Sequence, residues 1–570
     1  MAALGEIRRA QVVTTYGPGS LIPVEEHSYL VAGLDSWDVD DKMELEIREA
    51  RLERHLGVDH FKLPPSSDSE NHHARDLPVI RFPRVYSCSG CHVLGRYKDI
   101  AGIDDCCATC GSRLVTSRFV VVCESGHLSD FPYHRWAHRA DPQPEGDGHR
   151  LSLISRGRSA SLSDIVVECS CGQSRDMGGA LGSLALRGVV TCRGQRPWLR
   201  GSEPVDCELT PRGVQRGASN VWQPITESAI SIPPWSDEAS RFVDRFWVAL
   251  EHIPEDAFEG AVRAMIERTG VRVEVADVLG VVGHRRRLDA AAPPTLIELR
   301  QQEYDALQRG RPDDGRQQDF ICIRPDPSET LPAPIADLRL VTRLREVRAL
   351  TGFYRLHPPA PGEAQAPLAA RPSRWLPAIE VSGEGIYIGL DLDRVRKWES
   401  LPEVRQRIAR LGGAEAADGL PLPADRVPTP RRVLVHTLAH VLIDQWSLDC
   451  GYPAASLRER LYIGDTMAGL LIYTATSDSA GSLGGVVGMA KGGRFALSLQ
   501  KALAKAAWCS NDPLCMESGP TGVEARNLGA CHACALLPET SCEISNTLLD
   551  RGVLIGADGC PGFFESLVAG

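Results

Sequence analysis

The pairs Cys88-Ser-Gly-Cys91 and Cys107-Ala-Thr-Cys110 stand fifteen residues apart, the spacing of two knuckles that converge on one zinc ion. Four thiolates close a tetrahedron and leave no position for water, so such a site shapes a fold rather than hydrolysing a substrate. Cys106, next to Cys107, is placed to substitute as a ligand. A looser set follows in Cys169, Cys171, Cys192 and Cys207, and it reads as a second zinc quartet. Cys123-Glu-Ser-Gly-His127 offers either a further ligand pair or a packed turn with a hydrogen-bonded histidine. Near the C-terminus, Cys509, Cys515, Cys531-His-Ala-Cys534 and Cys542 supply five thiols for four places. Cys531, Cys534 and Cys542 are expected ligands, with Cys509 or Cys515 completing the tetrahedron. The expected cofactor is therefore Zn2+, two or three per chain. Cys322 and Cys450 are isolated and read as small buried hydrophobes.

His436-Thr-Leu-Ala-His440 places two imidazoles one helical turn apart, as in a zinc-protease helix, but Thr437 stands where the general-base glutamate belongs. Asp444 extends the same face, so a metal-dependent nuclease or hydrolase on His436, His440 and Asp444 is the alternative to core packing. The glycine-rich stretch 481–488 follows an apolar strand, where it reads either as a tight structural turn or as a backbone cradle for a nucleic-acid phosphate. It matches neither Gly-x-x-x-x-Gly-Lys-Ser/Thr nor Gly-x-Gly-x-x-Gly, and Lys491 is displaced from the lysine position. No Gly-x-Ser-x-Gly elbow is present either. These readings give no catalytic residues and no nucleotide cofactor.

The formal charge of -11 argues against a free-standing nonspecific DNA binder, and three filled four-thiolate sites would take it to roughly -17. Arginine concentrations at Arg193 to Arg216, Arg285 to Arg287 and Arg343 to Arg348 read as solvated faces before phosphate tracks. No stretch approaches the roughly 20 apolar residues that span a bilayer, and the N-terminus lacks a signal-peptide core. A cytoplasmic protein with no membrane partner is expected, and a reducing cytosol favours metal thiolates over disulfides.

Elements must hold these donors in place. Tyr16-Gly-Pro-Gly-Ser20 reads as a tight turn between short strands, and Asp41 to Leu56 as a charged helix. Phe242 to Thr269 and Arg431 to Leu448 carry helical apolar spacing, Leu470 to Thr474 a buried strand, and Arg494 to Trp508 a helix. The class is α/β multidomain (mixed), with small zinc-ribbon-like modules in the N-terminal half and an α/β C-terminal domain. Four segments are expected: an N-terminal module over 1–80, a zinc-binding region over 81–215, a mixed central region with Pro-rich linkers over 216–430, and a C-terminal domain over 431–570.

Leu471 to Thr474, Gly481-Ser-Leu-Gly-Gly485, Cys531-His-Ala-Cys534, Pro538 to Cys542 and Asn546-Thr-Leu-Leu-Asp550 resemble the MrfA-like zinc-binding domain found at the C-terminal end of MrfA-type DNA-repair helicases. Tyr16-Gly-Pro-Gly19, Gly126-His-Leu-Ser-Asp130, Arg216-Gly-Ala-Ser-Asn220 and Glu346 to Phe353 resemble the DrmB family, the helicase-less relatives in bacterial DISARM anti-phage systems. The resemblance implies a non-catalytic accessory subunit, with a DrmA-type superfamily 2 helicase as partner and DNA met through the complex.

Overall fold

A computed structural model describes residues 6–39, 45–66, 76–139, 148–157, 159, 161–358, 365–412, 426–474, 485–522, 525–557 and 559–568. Gly481 to Gly484 of the glycine-rich stretch lie outside the described residues. Where the sequence suggests four consecutive segments, the chain forms two compact units, each gathered from separated stretches. The first comprises Met1–Ile47, His60–Glu227 and Arg348–Ile379, and the second Arg48–Asp59, Ser228–Val347 and Glu380–Gly570.

The first unit is mostly small antiparallel sheets. Six strands run in the order Ser174–Asp176, Ile165–Cys169, Leu151–Ser155, Val93–Arg96, Val85–Cys88 and Leu114–Thr116. A three-stranded sheet places Phe119–Val122 between Leu128–Asp130 and Arg212–Gln215. Another joins Leu21–Val24, His27–Val31 and Val79–Arg81. Several strands end on a candidate ligand or one residue before it, and the turns carry the next donor. Before Tyr16 the chain is a helix, Arg9–Thr14, rather than the expected strand.

In the second unit the hairpin Leu457–Gly464/Met467–Thr474 packs under the helix Pro430–Cys450. Every residue of Met467–Thr474 is buried, and the helix has buried residues around most of its circumference, as a central helix must. Pro430 occupies the first turn, Thr429 caps Arg432 N–H, and Gly451 ends the helix at φ 72°. The expected helix over Phe242 to Thr269 is two helices, Glu238–Leu250 and Glu255–Thr269, broken at Pro254. With Val275–Ala290 they enclose Phe242, Val243, Leu250, Phe258, Val262 and Val281. The Pro-rich middle also contains strands of 20 and 16 residues, Ile335–Tyr354 and Trp375–Leu390. Among the described residues no helix is long and apolar enough to cross a membrane.

The arginine concentrations resolve in part into ion pairs. Buried Arg285 meets Glu53 and Asp244, both at 3.3 Å, and Arg345 bonds the exposed Glu380. Outside those concentrations, Arg460 bonds both oxygens of the fully buried Glu303 at 2.7 Å.

Candidate metal centres

Among the described residues, five clusters of Cys, His and Glu place their donor atoms within 4.8 Å of one another, each cluster inside one unit. Zinc–sulfur bonds of about 2.3 Å give a tetrahedral edge of about 3.8 Å, whereas a disulfide closes to about 2.05 Å. Cys88 and Cys110 lie 3.4 Å apart and Cys91 and Cys107 3.7 Å, so the expected first quartet assembles with near-tetrahedral edges. Cys88 ends the strand Val85–Cys88, and the backbone N–H groups of Gly90 and Cys91 donate to its sulfur at 3.3 and 3.4 Å. The Cys110 thiol is held down to about 6 by hydrogen bonds from the Ser112 side chain and backbone. Cys106 stands outside the quartet, its thiol turned to the Asp104 carbonyl.

The structure regroups the second set. Cys192 and Cys207 join Cys123 and His127, while Cys169 and Cys171 join His138 and His149. Cys123 follows the strand Phe119–Val122 and His127 precedes Leu128–Asp130, so the two knuckle residues face each other, with sulfur and Nδ1 3.3 Å apart. Cys192 approaches both at 3.5 Å. Its thiol falls to about 4, chiefly through the Cys123 contact. In the other group His138 Nε2 lies 3.2 Å from Cys171 and His149 Nδ1 3.2 Å from Cys169. His138 uses its Nδ1 on the His134 carbonyl, the outer hydrogen bond typical of a ligating imidazole. The backbone N–H of Gln173 is the leading cause that takes Cys171 down to about 6. His138 and His149 precede Cys169 by 31 and 20 positions and belong to no short motif.

The knuckle Cys123–His127 is braced from behind. Arg355 is fully buried beneath Trp198 and Phe353, and its guanidinium donates to the carbonyls of Gly126 (2.9 Å), Gly19 (2.8 Å) and Val221. Gly126 and Gly19 have φ of 78° and 81°, a region side chains disfavour. Four separate sequence motifs thus meet at one guanidinium: Tyr16 to Gly19, Gly126 to Asp130, Arg216 to Asn220 with the adjoining Val221, and the run ending at Phe353.

At the C-terminal end both Cys509 and Cys515 join Cys531 and Cys534. Sulfur separations are 3.5 Å for Cys509 and Cys531, 3.7 Å for Cys515 and Cys534, and 3.8 Å for Cys531 and Cys534. Burial alone would raise the Cys531 thiol, but the Ala533 N–H and the Asn511 amide outweigh it and hold it near 7. Arg551, also buried, donates to Ala506 O, Gly529 O and Asp512, and so fastens both ends of the loop. Cys542 departs from this set. After the turn at Pro538 it docks on the long helix, its sulfur 3.2 Å from His436 Nε2. Glu459 of the edge strand and His440 complete that fifth cluster. Burial pushes the Cys542 thiol well up and pulls His436 down. Burial opposes the Glu459 carboxylate, yet the two imidazoles outweigh it and hold the group below its usual range. Asp444 is turned away to Lys505 and takes no part. Of the glycine-rich stretch, Gly485 packs against Tyr452 and Val487–Ala490 forms a short 3-10 turn.

Geometry and donor chemistry describe a mixed α/β protein built around cysteine-rich metal clusters. Residues 438–535 match the MrfA Zn-binding domain, and residues 8–223 match a domain of unknown function (DUF8724). The chain is 31% identical over 546 residues to the DISARM protein DrmB of Bacillus paralicheniformis, covering 89% of this chain and 93% of that protein. It belongs to the DrmB family.

Proposed function

We propose that this chain is a non-catalytic, zinc-stabilised accessory subunit of a DISARM anti-phage complex, working beside a DrmA-type superfamily 2 helicase and assisting its engagement of DNA in the cytoplasm. The similarity to a DISARM protein along nearly the whole chain carries this reading. The ligand sets we propose are Cys88/Cys91/Cys107/Cys110, Cys123/His127/Cys192/Cys207, His138/His149/Cys169/Cys171 and Cys509/Cys515/Cys531/Cys534. Each offers four protein donors, which fills a zinc tetrahedron and leaves a structural rather than a catalytic ion. The hydrolase alternative loses its third member, since Asp444 pairs with Lys505, and its two histidines are fully buried, away from any substrate.

An acidic subunit can dock on a basic helicase by charge complementarity and add only a few contacts to the DNA path. The test is to purify the chain with and without a DrmA-type helicase. Co-elution, with tighter helicase binding to DNA or altered ATP turnover, is expected. Separate elution together with unchanged helicase activity would sink the proposal.

A further inference from the structure

We infer that His436, His440, Glu459 and Cys542 form a further zinc site, electrically neutral and sealed inside the second unit, that pins the long helix to the edge strand and to the C-terminal loop. The site does not depend on any helicase partner. Only two of its donors, His440 and Glu459, fall within the span that matches the MrfA Zn-binding domain.

The donors come from three places: one face of the helix Pro430–Cys450, the inward face of Leu457–Gly464, and the turn after Pro538. His436 Nε2 lies 3.2 Å from both Cys542 Sγ and Glu459 Oε1, and His440 Nε2 lies 3.7 Å from Glu459 Oε2. Zinc–nitrogen, zinc–oxygen and zinc–sulfur bonds of about 2.0 to 2.3 Å give tetrahedral edges of about 3.3 to 3.8 Å. The observed separations fall in or beside that range.

Three of the four donors are held by a second hydrogen bond from behind. His440 Nδ1 bonds the Ala535 carbonyl at 2.7 Å, which fixes the tautomer and frees Nε2 as a donor to metal. Glu459 Oε1 accepts from Glu543 N–H at 2.9 Å, and Cys542 Sγ accepts from Asn546 N–H at 3.2 Å. Meanwhile His440 Nε2 and Glu459 Oε2 are buried with no hydrogen-bond partner among the described residues. Orphaned polar atoms in an apolar core, here among Leu457, Leu461, Leu537 and Leu548, are costly unless something unites them.

A divalent cation unites them without leaving charge behind. One thiolate and one carboxylate cancel its two positive charges, and the imidazoles are neutral. The mixed nitrogen, oxygen and sulfur set with four-fold coordination favours zinc over magnesium or calcium, which prefer all-oxygen shells. With four protein ligands and both histidines fully buried, the ion has no open position and is structural.

Crystals of the unaltered full chain, measured across the zinc absorption edge, test this directly. An anomalous peak bonded to the four side chains is expected, and its absence overturns the site. In solution, native mass spectrometry should show that Cys542→Ala and Glu459→Gln each lose one zinc equivalent from the wild-type total while keeping the rest. An unchanged count in a folded variant overturns the site equally. Should both variants fail to fold, the edge measurement on the unaltered protein decides alone.

Discussion

Replacing Arg355 by methionine keeps much of the volume beneath Trp198 and Phe353 but removes every donor to Gly19, Gly126 and Val221. Each buried carbonyl left without its partner costs about 1–3 kcal/mol, so three together cost about 3–9 kcal/mol. The loss is offset in part because a buried guanidinium no longer has to be desolvated. A folded domain holds only about 5–15 kcal/mol in total, so this one change threatens the first unit. Arg355→Lys keeps the charge but cannot span three carbonyls, and should fall between wild type and methionine. Urea unfolding followed by hydrogen exchange resolved along the chain would read the effect. Protection should fall first in the Cys123–His127 knuckle and around Gly19, with the second unit less affected. Chelator-induced zinc release should also quicken by the ion expected at Cys123, His127, Cys192 and Cys207. If Arg355→Met unfolds within about 0.5 kcal/mol of wild type, the size of an ordinary surface substitution, Arg355 is not the joint described here.

Cys534→Ser should remove one zinc equivalent and expose the 509–534 loop to hydrogen exchange while Pro430–Cys450 stays protected. Among the described residues its own apolar cluster is small, with Ala530, Ala535 and Leu549 buried and Leu536 packed against them, whereas a structural zinc contributes about 10–16 kcal/mol; unchanged protection with the zinc gone would contradict this. Glu303 is held below its usual range because the Arg460 charge and hydrogen bonds outweigh its burial. Its contribution is therefore present above the unfolded carboxylate pKa of about 4.3 and lost as pH falls toward the lower folded value. Glu303→Gln should cost about 3–5 kcal/mol at neutral pH, and the gap to wild type should shrink on acidification below about pH 4.5; a gap independent of pH would refute it.

The first quartet was legible because its ligands lie in two tight turns, where spacing alone specifies geometry. The DrmB and MrfA resemblances were legible for a similar reason, since short contiguous motifs carry them. Pairing across long gaps was not: His149 reaches Cys169 through the sheet register that aligns Leu151–Ser155 with Ile165–Cys169, and His138 arrives at the end of the helix Tyr133–Ala137, which packs on the latter strand. Glu459 left a faint trace, since it occupies the same strand face as Leu457 and Leu461, where a lone carboxylate implies a buried partner. Cys542 looked like a neighbour of Cys534 because they are close in sequence, but the intervening turn sends it to the helix. The long strand Ile335–Tyr354 was hidden by its charges. Arg339, Glu346 and Arg348 are buried, so alternation of polar and apolar residues does not mark its faces.

In three of the clusters the charge, with zinc bound, follows the surroundings. Cys88, Cys91, Cys107 and Cys110 would carry two net negative charges, and two of those residues, Cys91 and Cys110, are exposed to water. The C-terminal quartet would carry the same charge with no fully exposed member, and there the Arg551 guanidinium sits close enough to Cys515 and Cys534 to be held in its charged form by them. The cluster of His436, His440, Glu459 and Cys542 would be neutral, and it is the one whose histidines and carboxylate are all completely buried. A four-thiolate site could not occupy that apolar core without a buried cation beside it. Exchange of two thiolates for two imidazoles, and of a third for a carboxylate, lets a metal staple sit where charge is excluded. The same logic separates it from a hydrolytic centre, which needs water at the metal. On this reading the helix with paired histidines has a protease-like spacing because one turn is the shortest way to offer two imidazoles to one ion, not because it performs the chemistry.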